Sequence, residues 1–285
     1  MTQKNTDTVS QGAFELEFER SPNDNNEISI LGTGSSSVVL AARAIEEGTR
    51  SHLDLAVKVM PYTSDSDNQM HVVMSTQDRH LVRCPTYRIF NKLDILAMDR
   101  ALFRVLEQLA PLSQRFILLG MERCESILFC PPDEVRKMCR NIAEALDYLH
   151  RNGKVHGNLH AGQIYRARTT YVLGGLTKIR RGNRNDRREA IRKFGQAVDC
   201  LASTMCQNEQ LREFIELCTS LDSSVTIRQL LQHPFLADPS HVGISSQTHS
   251  IARNRSDSLS SCSSASSASS LNLKVDSKLR SQFLE

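Results

Sequence analysis

Apolar residues in the first half of the chain occur in short runs, which is the pattern of β-strands. Each run is bounded by small or polar residues. The segment GTGSSS at 32–37 separates two runs and predicts a hairpin with a relatively long loop. The segment FELEF at 14–18 alternates apolar with polar residues and predicts a further short strand. The main runs are EISIL at 27–31, VVLAA at 38–42, LAVKVM at 55–60 and FILLGM at 116–121.

From residue 134 the apolar spacing changes to that of helices. Apolar residues recur there at steps of three and four and therefore share one helix face. The sequence PPD at 131–133 favours a helix start, and Gly153 favours its end. Strands followed by helices predict an α+β protein, built as two lobes. The first face comprises Val135, Met138, Ile142, Leu146 and Leu149, and further faces fall within 191–205, 211–218 and 227–231.

The two ends of the chain differ from this body in composition. Residues 1–27 are polar apart from FELEF and are expected to be a flexible segment. Residues 256–270 contain ten serines, so 238–285 is expected to be a disordered, serine-rich tail. Arg253 and Arg255 precede Ser256 and Ser258, which would suit phosphorylation by a basophilic kinase or a partner that reads phosphoserine. An unmodified, solvated linker is the alternative.

Composition limits the compartment and the class of partner. The 285 residues carry a formal net charge of +3, with 24% charged and 40% hydrophobic residues, which is typical of globular proteins. No apolar run reaches the roughly 20 residues of a membrane span, and the N-terminus lacks a signal-peptide pattern. The eight cysteines include no CxxC pair. We therefore expect a reduced protein of the cytoplasm or nucleus, without a membrane partner.

Several segments follow one another in the order found in the eukaryotic protein kinases, which this sequence resembles. They are ILGTGSSSVVLAAR, LAVKVM, LGMERC, NIAEALDYLHRNGKVHGNL and LLQHPFL. The resemblance implies a two-lobed protein kinase-like fold over 28–237. A small strand-rich N-lobe would occupy about 28–120, and a larger helical C-lobe about 125–237.

The resemblance also implies a nucleotide cleft. Lys58 matches the lysine that contacts the phosphates of ATP, and Val39 and Ala56 match the residues against which adenine packs. The third glycine of the loop is replaced by Ser37. ATP binding therefore stays open, and without metal ligands we expect it to be independent of Mg²⁺. The full set implied for the nucleotide is Gly32, Gly34, Val39, Ala56, Lys58, Met121, Glu122 and Cys124.

The residues that a kinase needs for phosphoryl transfer are replaced. Asn158 stands where kinases have the aspartate that accepts the substrate proton, and its neutral amide is a poor base. Gln163 and Leu173 stand at the two positions of magnesium ligands. His160 replaces the lysine of the catalytic loop. Because loss of a general base alone typically costs about 10²–10⁴ in rate, the resemblance implies a catalytically impaired domain, a pseudokinase.

Two further positions and one segment depart from the kinase pattern. Residues 67–78 contain no Glu, so Lys58 is expected to lack its usual ion-pair partner, although Asp67 falls in that region. Arg192 stands where kinases have an aspartate that anchors the catalytic loop. The segment after the LGG of 173–175 is short and has no APE motif.

The spacing of the histidines in the sequence does not predict a metal site. His156 and His160 have the i, i+4 spacing with which two histidines hold zinc on a helix. However, the intervening glycine and asparagine favour a loop, and no third ligand is close in sequence.

One basic segment departs from the overall charge balance. Residues 178–193 hold eight Lys or Arg and two acids, so the remainder of the chain carries a net charge of −3. Arginines in such a segment can dock an acidic or phosphorylated partner, and RNA is a less favoured ligand. A solvated loop leading into a helix with a basic face is the structural alternative. The candidate docking residues are Arg180, Arg181, Arg187 and Arg188.

The leading hypothesis is a binding protein: a pseudokinase that acts as a scaffold or allosteric regulator of a signalling partner. That partner would be a protein, such as an active kinase or a phosphoprotein. A divergent, active serine/threonine protein kinase that uses ATP and Lys58 is one alternative. A nucleic-acid or phosphoprotein binding module built on residues 178–193 is the other.

Overall fold

The computed structural model describes residues 14–23, 27–46, 52–202, 208–220 and 224–237. Within them the chain forms one large antiparallel sheet, two small sheets and a set of helices, so the predicted α+β class is confirmed. The expected order of strands first and helices afterwards is wrong in detail. Three helices fall in the first half, and short strands fall between the helices of the second half.

The large sheet has six antiparallel strands. The third strand makes the most pairings. It pairs with the first and second strands along one edge and with the fourth strand along the other. The sixth strand lies between the fourth and the fifth. The strands are β1 (Phe14–Phe18), β2 (Ile30–Gly34), β3 (Ser37–Glu46), β4 (His52–Pro61), β5 (Thr86–Asn91) and β6 (Arg115–Glu122).

Two sequence expectations about this sheet have clear outcomes. FELEF forms β1, whose residues pair with Ala42–Glu46 of β3, so the sheet begins before residue 28. The predicted long loop between β2 and β3 is wrong. Gly34 pairs directly with Ser37, and only the two residues 35–36 form the turn.

The sheet separates two hydrophobic cores. Because side chains of a strand alternate between faces, Leu55, Val57 and Val59 of β4 enter one core and Met60 enters the other. The first core is closed by α2 (Lys92–Met98) and α3 (Arg100–Leu109). The second core contains α1 (Ser66–Met74) and the helices of the second half. Lys58 shares the face of Met60, and so it faces the second core.

The second half is organised around α4 (Val135–Arg151), whose predicted apolar face is fully buried. Gly153 adopts a positive φ of 69° just after the helix, as the predicted stop requires. The remaining helices are α5 (Arg184–Leu201), α6 (Glu209–Thr219) and α7 (Ile227–Leu231). The Phe214 ring of α6 contacts the ring of Phe194 on α5 and that of Phe235, which follows α7.

Short strands connect α4 to α5. One small sheet joins β7 (Glu125–Ser126), β9 (Ile164–Ala167) and β10 (Thr170–Leu173), and a second joins β8 (Lys154–His156) to β11 (Ile179–Arg181). A 3₁₀ turn at Leu176–Lys178 precedes β11. The end of β10 is held to the first half of the chain, because Leu173 bonds through its backbone to His80 and Val82.

No helix within the described ranges combines the length and the apolar character needed to cross a membrane. The predicted serine-rich tail at 238–285 lies outside those ranges, and so does most of the segment 1–27.

Candidate functional site

The glycine hairpin and Lys58 lie on the same part of the sheet. Val39 of β3 is the register partner of Lys58 on β4, so both side chains point to the same face. Ala56 follows two residues from Lys58 and shares that face as well. Gly32 and Gly34 end β2 beside this pair. The structure thus brings the predicted glycine, adenine and phosphate residues of β2, β3 and β4 together on one part of the sheet.

The ammonium group of Lys58 is held by a hydroxyl group. Its Nζ donates to Oγ1 of Thr177 at 2.9 Å, and Thr177 is buried in the 3₁₀ turn. Burial, followed by the charge of Lys178, lowers the pKa of Lys58. Asp67, which the sequence suggested as a partner, instead accepts a hydrogen bond from the Tyr62 hydroxyl at 2.7 Å.

Helix α1 contributes an amide to the same place. Gln69 donates from Nε2 to the backbone oxygen of Thr177 at 2.5 Å. Thr177 therefore accepts two hydrogen bonds: Lys58 of the sheet donates to its hydroxyl oxygen, and Gln69 of α1 donates to its carbonyl oxygen. Three elements are tied together by neutral acceptors, without a carboxylate between Lys58 and α1.

Residues at the end of β6 form hydrogen bonds with other residues of the chain. Glu122 accepts the backbone N–H of Arg83 at its carboxylate, and its own backbone N–H donates to the Arg83 carbonyl. The Cys124 thiol donates to the Glu122 carbonyl with an S···O distance of 3.7 Å. Burial raises the pKa of Cys124, and likewise that of Cys84, to about 12. These thiols are protonated at neutral pH, so they are weak nucleophiles.

The polar residues of the loop 156–163 differ in burial. His156 is buried, and its Nε2 lies 2.8 Å from the Gly174 carbonyl oxygen. Asn158 and His160 are exposed, and His160 lies 3.3 Å from the Gln163 amide. The residues between His156 and His160 form a loop, as expected.

The sequence LGG at 173–175 forms a closed corner. Leu173 is fully buried in the second core and presents no oxygen. A Cβ on Gly174 would lie 2.6 Å from the Tyr165 ring, so that ring occupies the space where a side chain would stand. Gly175 has a positive φ of 66°, and a Cβ there would lie 2.5 Å from the Gln163 side-chain oxygen. Both positions therefore require glycine.

These residues do not fit a magnesium-bound triphosphate. Mg²⁺ prefers carboxylate and phosphate oxygens, whereas the two positions implied for its ligands carry the amide of Gln163 and the hydrocarbon of Leu173. The Lys58 ammonium group is already bonded to Thr177. In the described part of the chain, no three His, Cys, Asp or Glu side chains come together as a metal-binding group.

Arg192 does not replace the anchoring role that kinases give to an aspartate. Its guanidinium group makes two 2.7 Å hydrogen bonds to Glu189 on the same helix. The pair lies on the partly exposed face of α5, so it stabilises the helix rather than the loop 156–163.

The predicted docking arginines divide between two elements. Arg180 and Arg181 are exposed on β11, and Arg180 pairs with Asp186 at 2.7 Å. Arg187 and Arg188 lie on α5, which begins at Arg184, so half of the basic segment is helical rather than a loop. Asn183 and Asp186 form a capping box that fixes this start. Ser256 and Ser258 lie outside the described residues.

Sequence reasoning missed the surroundings of Arg187 and Arg188. These two residues line a groove of about 650 Å³ together with the end of α4 and the residues before α7. His150, Arg151 and Arg228 are separated from α5 by tens of residues, so no local pattern indicated them.

The chain matches neither a known protein family nor a curated protein.

Proposed function

We propose that this protein is a catalytically impaired, two-lobed protein kinase-like domain that acts as a scaffold or allosteric regulator of a protein partner. The order of the kinase-like segments along the sequence supports the fold. The arrangement around Lys58 supports the loss of activity, and it is the observation that carries the proposal.

The Lys58 ammonium group is coordinated by Thr177, and α1 supplies the Gln69 amide rather than a carboxylate. A kinase needs Lys58 to be free for the nucleotide phosphates and needs carboxylates for the metal. Neither requirement is met by the contacts around Thr177. The cleft residues instead connect the sheet, α1 and the 3₁₀ turn, which is a structural role.

No base stands at the position where kinases have the proton-accepting aspartate. Asn158 is an exposed amide and cannot take up a proton at neutral pH. His156 is buried against Gly174, and its lowered pKa leaves it neutral but with no access to a substrate hydroxyl group. Loss of the base and of the metal's charge stabilisation would each slow phosphoryl transfer strongly.

The test is a phosphoryl-transfer assay on the purified chain with radiolabelled ATP, generic protein substrates, and Mg²⁺ or Mn²⁺. We expect no incorporation above the level of the Lys58→Ala variant. Metal-dependent incorporation that disappears in Lys58→Ala would overturn the proposal in favour of a divergent active kinase. Thermal denaturation with millimolar ATP, with and without Mg²⁺, gives a separate readout, and a Mg²⁺-dependent shift in melting temperature would contradict the same proposal.

A further inference from the structure

A basic groove lies away from the cleft, where the end of α4, the start of α5 and the turn before α7 meet. Its volume is about 650 Å³. Among the described residues, five arginines line it, against a single acidic residue, Asp147. Such an excess of guanidinium groups in a concave site favours an anionic ligand. The arginines are Arg151, Arg184, Arg187, Arg188 and Arg228.

The acidic residue of the groove, Asp147, forms ion pairs with two of these arginines. Asp147 pairs with Arg151 at 2.9 Å and with Arg228 at 3.3 Å. Throughout the described ranges, no carboxylate lies within ion-pair distance of Arg184, Arg187 or Arg188. The α5 side of the groove therefore carries positive charge that the fold itself does not neutralise.

Two buried nitrogen atoms in the wall of the groove have no hydrogen-bond partner among the described residues. They are Nε of Arg187 and Nε2 of His150, whose side chain is among the buried polar residues at 7% exposure. A buried polar group without a partner destabilises the folded chain. The guanidinium N–H of Arg187 can only donate, so the missing partner is an acceptor oxygen.

The start of α5 adds a favourable dipole. Its first backbone N–H groups have no acceptor within the helix, and the helix is 18 residues long. The capping box satisfies the N–H groups of Asn183 and Asp186 but leaves those of Arg184 and Asn185. An oxyanion beside Arg184 would gain from both the dipole and these donors.

The shape and lining of the groove favour a phosphate group over a nucleic acid. Apart from the buried His150, its lining contains no aromatic ring on which a base could stack. Arginine forks match the oxygens of a phosphate group in geometry as well as in charge. A phosphate dianion can accept hydrogen bonds from three guanidinium groups at once, and it carries twice the charge of a carboxylate.

We propose that this groove binds a phosphorylated serine, and that the ligand is the segment around Ser256 and Ser258 of the same chain. The described chain ends at Ala237 beside α4, where the Leu236 carbonyl accepts a hydrogen bond from Arg140 at 3.0 Å. Ten residues of α4 separate Arg140 from His150, which is about 15 Å. At full extension the residues between Ala237 and Ser256 could span at most about 60 Å. The groove is therefore within reach, and a tethered ligand binds at a high effective concentration.

The phosphate group would come from a separate kinase, which transfers the γ-phosphoryl group of ATP to the serine Oγ and releases ADP and a proton. The Arg-rich sequence before Ser256 suits such an enzyme. The proposal does not depend on whether this chain itself transfers phosphoryl groups, so either proposal can fail alone.

The first experiment measures binding of a fluorescent peptide of residues 250–262, with and without phosphate on Ser256 and Ser258, to the full unphosphorylated chain. We expect the phosphorylated peptide to bind at least tenfold more tightly than the unphosphorylated one. Arg184→Gln with Arg188→Gln should remove most of that gain. Arg212→Gln is the matched control, because Arg212 is an exposed arginine of α6 that pairs only with Glu209 and Glu216. Melting temperatures check that each variant is folded, and Arg187→Lys, which keeps the charge but loses the fork, should weaken binding with little loss of stability.

Equal affinity for the two peptides, or equal loss in the Arg212→Gln control, would overturn the phosphoserine site. A labelled RNA that binds more tightly than the phosphopeptide and depends on the same arginines would overturn it too. Inorganic phosphate alone should compete only weakly, because it lacks the peptide contacts.

The second experiment tests the source of the ligand. A full chain that carries phosphoserine at 256 and 258 is made by joining a synthetic phosphorylated segment to the remainder. Its groove should be occupied, so its affinity for the added phosphopeptide should fall at least tenfold relative to the Ser256→Ala, Ser258→Ala chain. If the phosphorylated chain binds the added peptide as well as the alanine chain does, the assignment to its own segment is overturned and the ligand comes from another protein.

Discussion

The side-chain nitrogen of Lys58 lies 2.9 Å from the hydroxyl oxygen of Thr177, which is 119 residues later in the chain. This hydrogen bond joins β4 to the turn that precedes β11. Because Gln69 of α1 donates to the carbonyl oxygen of the same threonine, Thr177 links three elements that the sequence separates widely.

The first prediction concerns this link. Replacing Thr177 by valine keeps the shape of the side chain but leaves the partly buried Lys58 ammonium group without its acceptor. We expect the free energy of unfolding to fall by about 1–3 kcal/mol. Lys58→Met should cost less, because it removes the charge together with the need for an acceptor.

A double-mutant cycle in urea checks this prediction, with Thr86→Val on an exposed strand position as the control. The effects of Thr177→Val and Lys58→Met should not add, and the coupling should exceed about 0.5 kcal/mol. Additive effects would mean that the two side chains do not interact in solution.

The second prediction concerns the corner at Gly174. An alanine there would place a Cβ 2.6 Å from the Tyr165 ring, so Gly174→Ala should destabilise the protein by about 1–3 kcal/mol. The penalty should shrink in a Tyr165→Ala background, since the opposing ring is then absent. Urea unfolding of the four proteins measures it. Gly32→Ala is the control, because a Cβ there meets no atom within 4 Å.

The third prediction concerns pH. The Gly174 carbonyl can only accept, so His156 donates from Nε2 and its buried Nδ1 has neither a proton nor a partner. Burial is the main cause that lowers the pKa of His156 to about 4. On acidification the unfolded chain, with an ordinary histidine pKa of about 6.5, binds the proton first. The free energy of unfolding should therefore be constant above pH 6.5 and fall between about pH 6.5 and 4, by roughly 3 kcal/mol for this residue.

His150, whose pKa burial also lowers to about 4, adds to the same effect. The measurement is urea unfolding at several pH values. His156→Gln can keep a donor to Gly174 but cannot titrate, so it should remove the part of the loss that comes from this residue. An unchanged slope in His156→Gln would contradict the assignment.

The fourth prediction concerns thiol reactivity. Burial raises the pKa of Cys84 and Cys124 to about 12, so roughly one molecule in 10⁴–10⁵ carries either thiolate at pH 7.5. Iodoacetamide should therefore alkylate the exposed Cys200 long before these two residues in the native protein. Peptide mass spectrometry of timed samples checks the order. Alkylation of Cys84 or Cys124 at the rate of Cys200 would show that the end of β6 opens readily.

Local patterns predicted several elements because local forces form them. The apolar spacing of α4 and the stop at Gly153 both appear as expected, since helix periodicity and a positive φ at glycine depend on neighbouring residues. The sequence pattern did not predict the helices α2 and α3. Asp99, whose side chain caps α3 through two backbone N–H groups, followed by Leu102 and Leu106, was the signal that could have indicated the second of them.

The sequence by itself determined the α+β class, the faces of the main strands and helices, and which residue types are missing from the kinase-like positions. Only the tertiary structure decided what those residues contact. The hydrogen bond from Lys58 to Thr177 and the groove that Arg187 shares with His150 and Arg228 join residues far apart in the chain. The contact of Gly174 with the Tyr165 ring depends on how β9 and β10 pair. Periodicity fixes the direction of a side chain within its own element, whereas the packing of one element on another decides which partner it meets.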